Sequence, residues 1–93
     1  MIKFFKSKET EKIWKKIISR KLPIDIQNTA RRKLRMLNNA GNLTDLKIPP
    51  RNKLEQLKGK RKGQYSIRIN DQWRICFKWL DNDCCDIEKT DYY

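Results

Sequence analysis

The stretch "GQYSIRINDQWRICFKW", residues 63–79, decides the fold. Apolar side chains recur at every second position: Tyr65, Ile67 and Ile69 in a first run, then Trp73, Ile75, Phe77 and Trp79 in a second. Period-two alternation is the mark of a half-buried strand, and the polar break between the runs makes them a hairpin. A two-residue turn at Asn70-Asp71 would set Ile67 across from Arg74, because a slip of one residue turns every side chain to the other face. A loop from Asn70 to Gln72 pairs Ile69 with Trp73, Ile67 with Ile75 and Tyr65 with Phe77, so a three-residue or five-residue loop is expected. On the second face, that register puts Arg68 opposite Arg74, Ser66 opposite Cys76 and Gln64 opposite Lys78. Like charges across a strand pair are destabilising, and this pair is read as a place where an anion arrives later.

Outward from the hairpin, the N-terminal Ile2-Lys3-Phe4-Phe5-Lys6 reads as a short first strand. Ser7 is placed to cap a helix with Glu9 and Glu11 in its first turn, and Ile13, Trp14, Ile17 and Ile18 fall on one face of it. Pro23 breaks that helix and suits the start of another. There Ile26, Ala30, Leu34 and Leu37 step at helical spacing to an end at Asn38 or Asn39, closed near Gly41. Arg31, Arg32, Lys33 and Arg35 decorate this helix, for the most part as a solvated face. Pro49-Pro50 stops regular structure, and a short strand around Leu54 and Leu57 precedes the hairpin. A last strand runs from Cys84 to Asp91; Cys85 and Ile87 set its alternation, and Lys89, out of place on it, marks the strand turning outward. The expected product is a single α+β domain over residues 1–93, a mostly antiparallel sheet of four to five strands with two helices on one face.

The chain has 93 residues, so folding buries only about 60 to 65% of its unfolded surface and leaves little room for a large cofactor pocket. Hydrophobic residues make up 38% against 37% charged, enough for a compact fold. The net charge of +12 is unevenly placed: residues 51–68 hold seven Lys or Arg against one acid, Glu55, whereas residues 80–93 hold five acids and one lysine. Positive charge gathered in one segment points to a polyanion or an acidic protein as partner. Three cysteines without paired spacing, two of them adjacent, and the absence of histidine argue against a disulfide framework and a zinc site. No metal or cofactor is expected. No apolar run approaches membrane-spanning length and no signal peptide is apparent, so a cytoplasmic, reducing setting fits.

The ordered series "KLEQLKGKRKGQYSIRINDQWRICF", preceded by two helices and followed by "DCCDIEKTDYY", resembles the HigB branch of the RelE/ParE superfamily of bacterial toxins. Its members read L-H-x-L-K-G-x-x-x-G, then W-S-I, N-x-x-W-R-I-x-F, and a terminal D-Y-H. The resemblance covers essentially the whole chain and implies a RelE-like fold. It also implies a type II toxin that acts as an mRNA interferase: it enters the ribosomal A site of the small subunit, against rRNA, and cleaves mRNA there. A HigA-like helix-turn-helix antitoxin would hold it in check, with operator DNA met only through that complex.

Such cleavage uses the RNA's own 2′-hydroxyl as nucleophile, so the protein must orient the strand, stabilise the anionic phosphorane and move two protons. Arg74 of the W-R-I motif is the expected phosphate clamp, since a guanidinium offers two parallel hydrogen bonds and keeps its charge. Lys58 of the K-G motif is a second cation. The family's histidine positions fall on Glu55 and Tyr93: a carboxylate at 55 is the candidate general base, and Tyr92 and Tyr93 are candidate base-stacking or proton-handling groups, oriented by Asp91. Arg51, Lys60, Arg61, Lys62 and Arg68 are read as RNA-backbone contacts, whereas Trp14, Trp73, Ile75, Phe77 and Trp79 belong to the core. Two other classes share the fold: a module that binds RNA or the ribosome without cutting, suggested by the missing histidines, and a ParE-like inhibitor of DNA gyrase.

Overall fold

A computed structural model describes residues 1–17 and 22–91. Ser7 caps the first helix, α1 (Lys8–Trp14), accepting a hydrogen bond from the Thr10 amide. This helix is shorter than the sequence suggests. Lys16 takes a left-handed φ of 64°, its amide bonds to Ile13 O, and the Ile17 amide reaches back to Lys12 O at 2.9 Å. That is a Schellman closure with lysine where glycine is usual. Ile17 is consequently half exposed rather than part of the apolar stripe, and Ile18 lies outside the described residues.

The second helix, α2 (Ile24–Asn39), follows Pro23 as expected and ends at an extended Ala40. Its buried stripe is Gln27, Ala30, Lys33, Leu34 and Leu37. Lys33, expected on the wet face with its three arginine neighbours, is carried inside by the 3.6-residue period, next to Leu34 and one turn before Leu37. After the helix, Asn42 and Asp45 cap a 3-10 turn over Leu43–Lys47. A second 3-10 turn, Pro50–Asn52, closes on a left-handed Lys53.

Four antiparallel strands follow in simple spatial order: β1 (Glu55–Gln56), β2 (Gln64–Arg68), β3 (Trp73–Leu80) and β4 (Asp83–Asp91). Between β2 and β3 the register is the one the alternation demanded, with Tyr65 opposite Phe77, Ile67 opposite Ile75 and Arg68 opposite Arg74. The Ile69 amide bonds to Trp73 O at 2.9 Å, and Asn70 Oδ1 accepts from the Gln72 and Trp73 amides, so Asn70–Gln72 is the three-residue loop. The N-terminal segment is less than a full strand. It lies parallel to β4 through isolated bridges at Ile2 with Cys84 and Phe5 with Ile87.

Both helices pack on one face of the sheet. Ile13, Ala30, Leu34, Leu37 and Leu46 meet Ile67, Ile75, Phe77, Cys84 and Ile87 in one core, with Trp14, Trp73 and Trp79 partly buried at its margin. In β4 the simple alternation fails. Cys76 pairs with Glu88 but Lys78 pairs with Cys85, so Asp86 and Ile87 together oppose Phe77. Asp86 takes a φ of 51°, and this bulge switches the phase of the strand. Cys84 and Ile87 are therefore the core residues, each fully buried. Lys89 does not turn outward: it faces the core margin opposite Ile75, with its ammonium 3.7 Å from the centre of the Trp73 ring.

Candidate active site

The sheet face away from the helices is built in rows by the strand register. One row reads Glu55, Ser66, Cys76, Glu88; the next reads Arg68, Arg74, Thr90. Neither is an open cationic surface at its centre. Ser66 is fully buried, and Cys76 and Arg74 are nearly so. The like-charged Arg68 and Arg74 do not wait side by side for an anion, because their guanidiniums diverge. Arg68 pairs with Asp71 in the hairpin loop. Arg74 runs the other way, toward β1: its Nε donates to Ser66 Oγ at 2.7 Å, its Nη2 to Lys53 O at 2.7 Å, and its Nη1 lies 3.4 Å from Glu55 Oε1. The cross-strand repulsion is thus offset by carboxylates within the fold, and needs no ligand to explain it.

What the geometry does bring together is Glu55 with Arg74. The Arg74 side chain is 6% exposed and that of Glu55 54%, so a buried cation presents one edge to a carboxylate that faces solvent. Lys58 lies three residues beyond Glu55 and is exposed, at the start of the glycine-bounded loop. That loop contains a 3-10 turn, Gly59–Arg61, and both of its glycines have positive φ, 66° at Gly59 and 90° at Gly63. These conformations suit glycine and let the loop double back over the edge of the outer face.

The loop cations are not equivalent. Lys60 and Lys62 are exposed. Arg61 is tethered across the sheet, donating to Glu88 Oε1 at 2.8 Å and to Gln64 Oε1 at 3.2 Å; the Glu88 hydrogen bond raises its pKa further. Its charge is largely spent inside the fold, unlike that of the free-standing backbone contact expected from sequence. Arg51 is exposed on the turn before Lys53. Asp91 ends β4 opposite Trp73, while Tyr92 and Tyr93 lie outside the described residues.

Three participants escaped the sequence reading. Ser66 orients Arg74, and Glu88 holds Arg61; the first already stood in the β2–β3 register, diagonal to Arg74, and the second could have been found by extending that register one strand to β4. Lys33, buried on α2, is the third, and only its helical phase signalled it. Among the described residues no group of histidine, cysteine, aspartate or glutamate is arranged to hold a metal ion, and no helix is long and apolar enough to cross a membrane.

Comparison with known proteins gives this arrangement a context. The family model for the RelE-like toxin of the type II toxin-antitoxin system HigB matches residues 3–92. Toxin HigB-1 of Vibrio cholerae is 47% identical over 62 residues, which is 67% of this chain and 65% of that protein. A Haemophilus influenzae protein is 40% identical over 68% of this chain and 62% of its own length. The matched stretch thus spans less than two thirds of either relative. Endoribonuclease HigB of Proteus vulgaris is 29% identical over 100% of both chains. Among solved structures, a chain of the YoeB-YefM complex from Staphylococcus aureus superposes with a TM-score of 0.63 at 22% identity, covering 100% of this chain and 95% of that one. YafQ from E. coli gives 0.63 at 18% identity, covering 99% and 92%. At such identities the structural likeness speaks for the RelE-like fold alone.

Proposed function

The chain belongs to the HigB-like family of RelE-like type II toxins, and from that premise we propose that it is an endoribonuclease cleaving mRNA in the ribosomal A site. The relative from Proteus vulgaris bears the name endoribonuclease. The observation that carries the reading is the Glu55–Arg74 pair, 3.4 Å apart, with the carboxylate open to solvent over a buried guanidinium. In this reading Glu55 accepts the proton of the 2′-hydroxyl as that oxygen attacks the adjacent phosphorus. Arg74, held by Ser66 and Lys53 O, directs its positive charge at the phosphorane as negative charge develops. Its orientation is paid for on folding, so little reorganisation is needed during reaction. Lys58 adds a second cation, and Tyr92 or Tyr93, oriented by Asp91, stacks on a base or passes a proton to the departing 5′-oxygen.

The reaction so drawn yields a 2′,3′-cyclic phosphate and a free 5′-hydroxyl, and uses no group beyond the RNA and the chain. Arg51, Lys60, Lys62 and Arg68 supply sequence-independent contacts to backbone phosphates, with Arg61 contributing once its tie to Glu88 loosens. The partner that restrains the toxin is an antitoxin, as YefM accompanies YoeB in the complex from Staphylococcus aureus. In this reading the ribosomal A site aligns the RNA strand for in-line attack, a task the chain's own residues share.

Primer extension on mRNA undergoing translation tests this reading. New 5′ ends are expected in the presence of the protein, far fewer on naked RNA, and about 10²-fold fewer with Glu55→Gln. Protein-dependent arrest of translation with no new 5′ ends would sink the cleavage reading in favour of a binding module.

A further inference from the structure

The long helix carries an ammonium on its inner stripe. Lys33 is 7% exposed, and its Nζ donates a 2.6 Å hydrogen bond to Asn52 Oδ1. Asn52 is fully buried, and its Nδ2 is committed to Leu46 O at 3.1 Å and Ile48 O at 3.4 Å. That fixes which end of the amide faces the lysine. An amide oxygen supplies a hydrogen bond but no countercharge. Among the described residues Lys33 forms no ion pair with a carboxylate.

The strongest charges that act on it are positive, and of these Arg68 is itself paired with Asp71 in the hairpin loop. Arg32 stands beside it on α2, Arg51 precedes Asn52 on the 3-10 turn, and Arg68 ends β2; burial first, and then these three, push the Lys33 pKa below the ordinary lysine value. A buried ammonium without a counterion is costly, and adding like charges around it makes the corner worse still. Such a cluster is a structural liability by itself, but a phosphate entering it would supply the missing negative charge.

Its location favours nucleic acid over other anions. Arg68 is the register partner of Arg74, and the Asn52 that holds Lys33 directly precedes the Lys53 whose carbonyl holds Arg74. The corner therefore adjoins the Glu55–Arg74 pair. It lies at the far end of β2 from the basic loop, four strand residues or about 13 Å away. Cations at both ends of one strand, with the reactive pair between, match successive phosphates of a single strand better than one isolated anion.

We propose that Lys33, Arg51 and Arg68 form a phosphate subsite for single-stranded nucleic acid, distinct from the Glu55–Arg74 pair and from the loop at residues 58–63. Lys33 contacts the phosphate from beneath, and the two arginines close on it from the surface. This deepens the RNA-directed reading above and rests on it.

The test is binding of a short labelled single-stranded oligodeoxynucleotide, which lacks the 2′-hydroxyl nucleophile and is not cut, titrated across salt concentrations. Lys33→Met is expected to lower affinity about tenfold and to flatten the slope of log K against log salt by about 0.7, the loss of one phosphate contact on a single strand. Its melting temperature should hold or rise, since an uncompensated buried charge is removed. Arg68→Ala should flatten the slope similarly, and the double variant should lose less than the sum of the two because both act on one phosphate. If Lys33→Met does not fold, Arg51→Ala and Arg68→Ala, both at surface positions, carry the same expectation. Unchanged affinity and slope in these variants overturns the subsite. So does loss of binding to poly-glutamate with oligonucleotide binding intact, which would assign the corner to an acidic protein. Competition by millimolar inorganic phosphate that abolishes the difference between variants and parent would make this a free-phosphate site, and overturn it as a strand contact. The two readings fail separately: absent cleavage with the slope effect intact removes the nuclease assignment alone, whereas cleavage with an unchanged slope removes the subsite alone.

Discussion

Arg74 Nη2 donates a 2.7 Å hydrogen bond to the carbonyl of Lys53, a residue in left-handed conformation that opens the path into β1. The proposed phosphate clamp is therefore also a strut: it ties the third strand to the turn that presents Glu55. Arg74→Ala would leave Ser66 Oγ and Lys53 O without this donor in buried surroundings, at a cost of about 2–3 kcal/mol. The expected result is a melting temperature lower by roughly 10–20 °C, with cleavage lost as well. Arg74→Lys should recover less than half of the stability, because an ammonium cannot reach Ser66, Lys53 and Glu55 in the same fork. Thermal denaturation of the three proteins checks this, and an unshifted melting curve for the alanine variant would refute the strut.

Because Arg74 serves both roles, Glu55 gives the cleaner test of chemistry. Its carboxylate is half exposed, and an exposed ion pair contributes only about 0–1 kcal/mol. Glu55→Gln should melt within a few degrees of the parent while cutting about 10²-fold more slowly, the loss associated with a general base. Single-turnover cleavage on programmed ribosomes measures it. Parental rates in this variant would move the proton-accepting role to another group.

A third prediction concerns the end of α1. Lys16 holds a φ of 64° in a Schellman closure, where a side chain costs about 1–2 kcal/mol that glycine does not incur. Lys16→Gly gives up some of that gain to a more flexible unfolded chain, so a net stabilisation of about 0.5–1 kcal/mol is expected. Urea denaturation should show a higher midpoint at unchanged slope. A lower midpoint would mean that the long stem of Lys16 contributes packing that outweighs its backbone strain.

The same residue shows where sequence stops being legible. Nothing in "IWKKII" announces a left-handed lysine, so the apolar spacing from Ile13 to Ile18 reads as continuous helix, although Ile17 ends half exposed. The hairpin was legible because only loops of odd length keep apolar opposite apolar, and Asn70–Gln72 obeys that constraint. The bulge at Asp86 was not, since its positive φ leaves no apolar signature; it put Cys84 in place of Cys85 on the core face beside Ile87, with Lys89 against Trp73. At the site, alternation correctly put Arg74 on the face away from the core. It could not say what covers that face, and the answer, Lys53 and Glu55 from the preceding connection, depends on a register two strands away.

That shift of phase in β4 has a consequence at high pH. Cys84 is fully buried beneath α2, with its Sγ 3.7 Å from Leu37 O, and burial pushes its pKa up to about 12. In the unfolded chain the thiol ionises near its ordinary value of about 8.5. Between these two values the unfolded state has lost the proton and the folded state has kept it, so stability falls as pH rises, by up to about 1.4 kcal/mol per unit. Below the unfolded value both states hold the proton and the slope vanishes. Cys84→Ala removes this dependence while leaving a small cavity, so the parent should be the more stable protein at pH 7, and its advantage should shrink steadily above pH 9. Cys85 is raised in the same direction by burial and, on the outer face, persists in both proteins, and the lowered pKa of Lys33 acts in the opposite sense in both; the difference between parent and variant isolates Cys84. Urea titrations of the pair at pH 7, 9 and 10.5 measure it. A stability difference independent of pH over that range would mean that the thiol ionises without unfolding the strand, and that the seal over β4 by α2 opens readily.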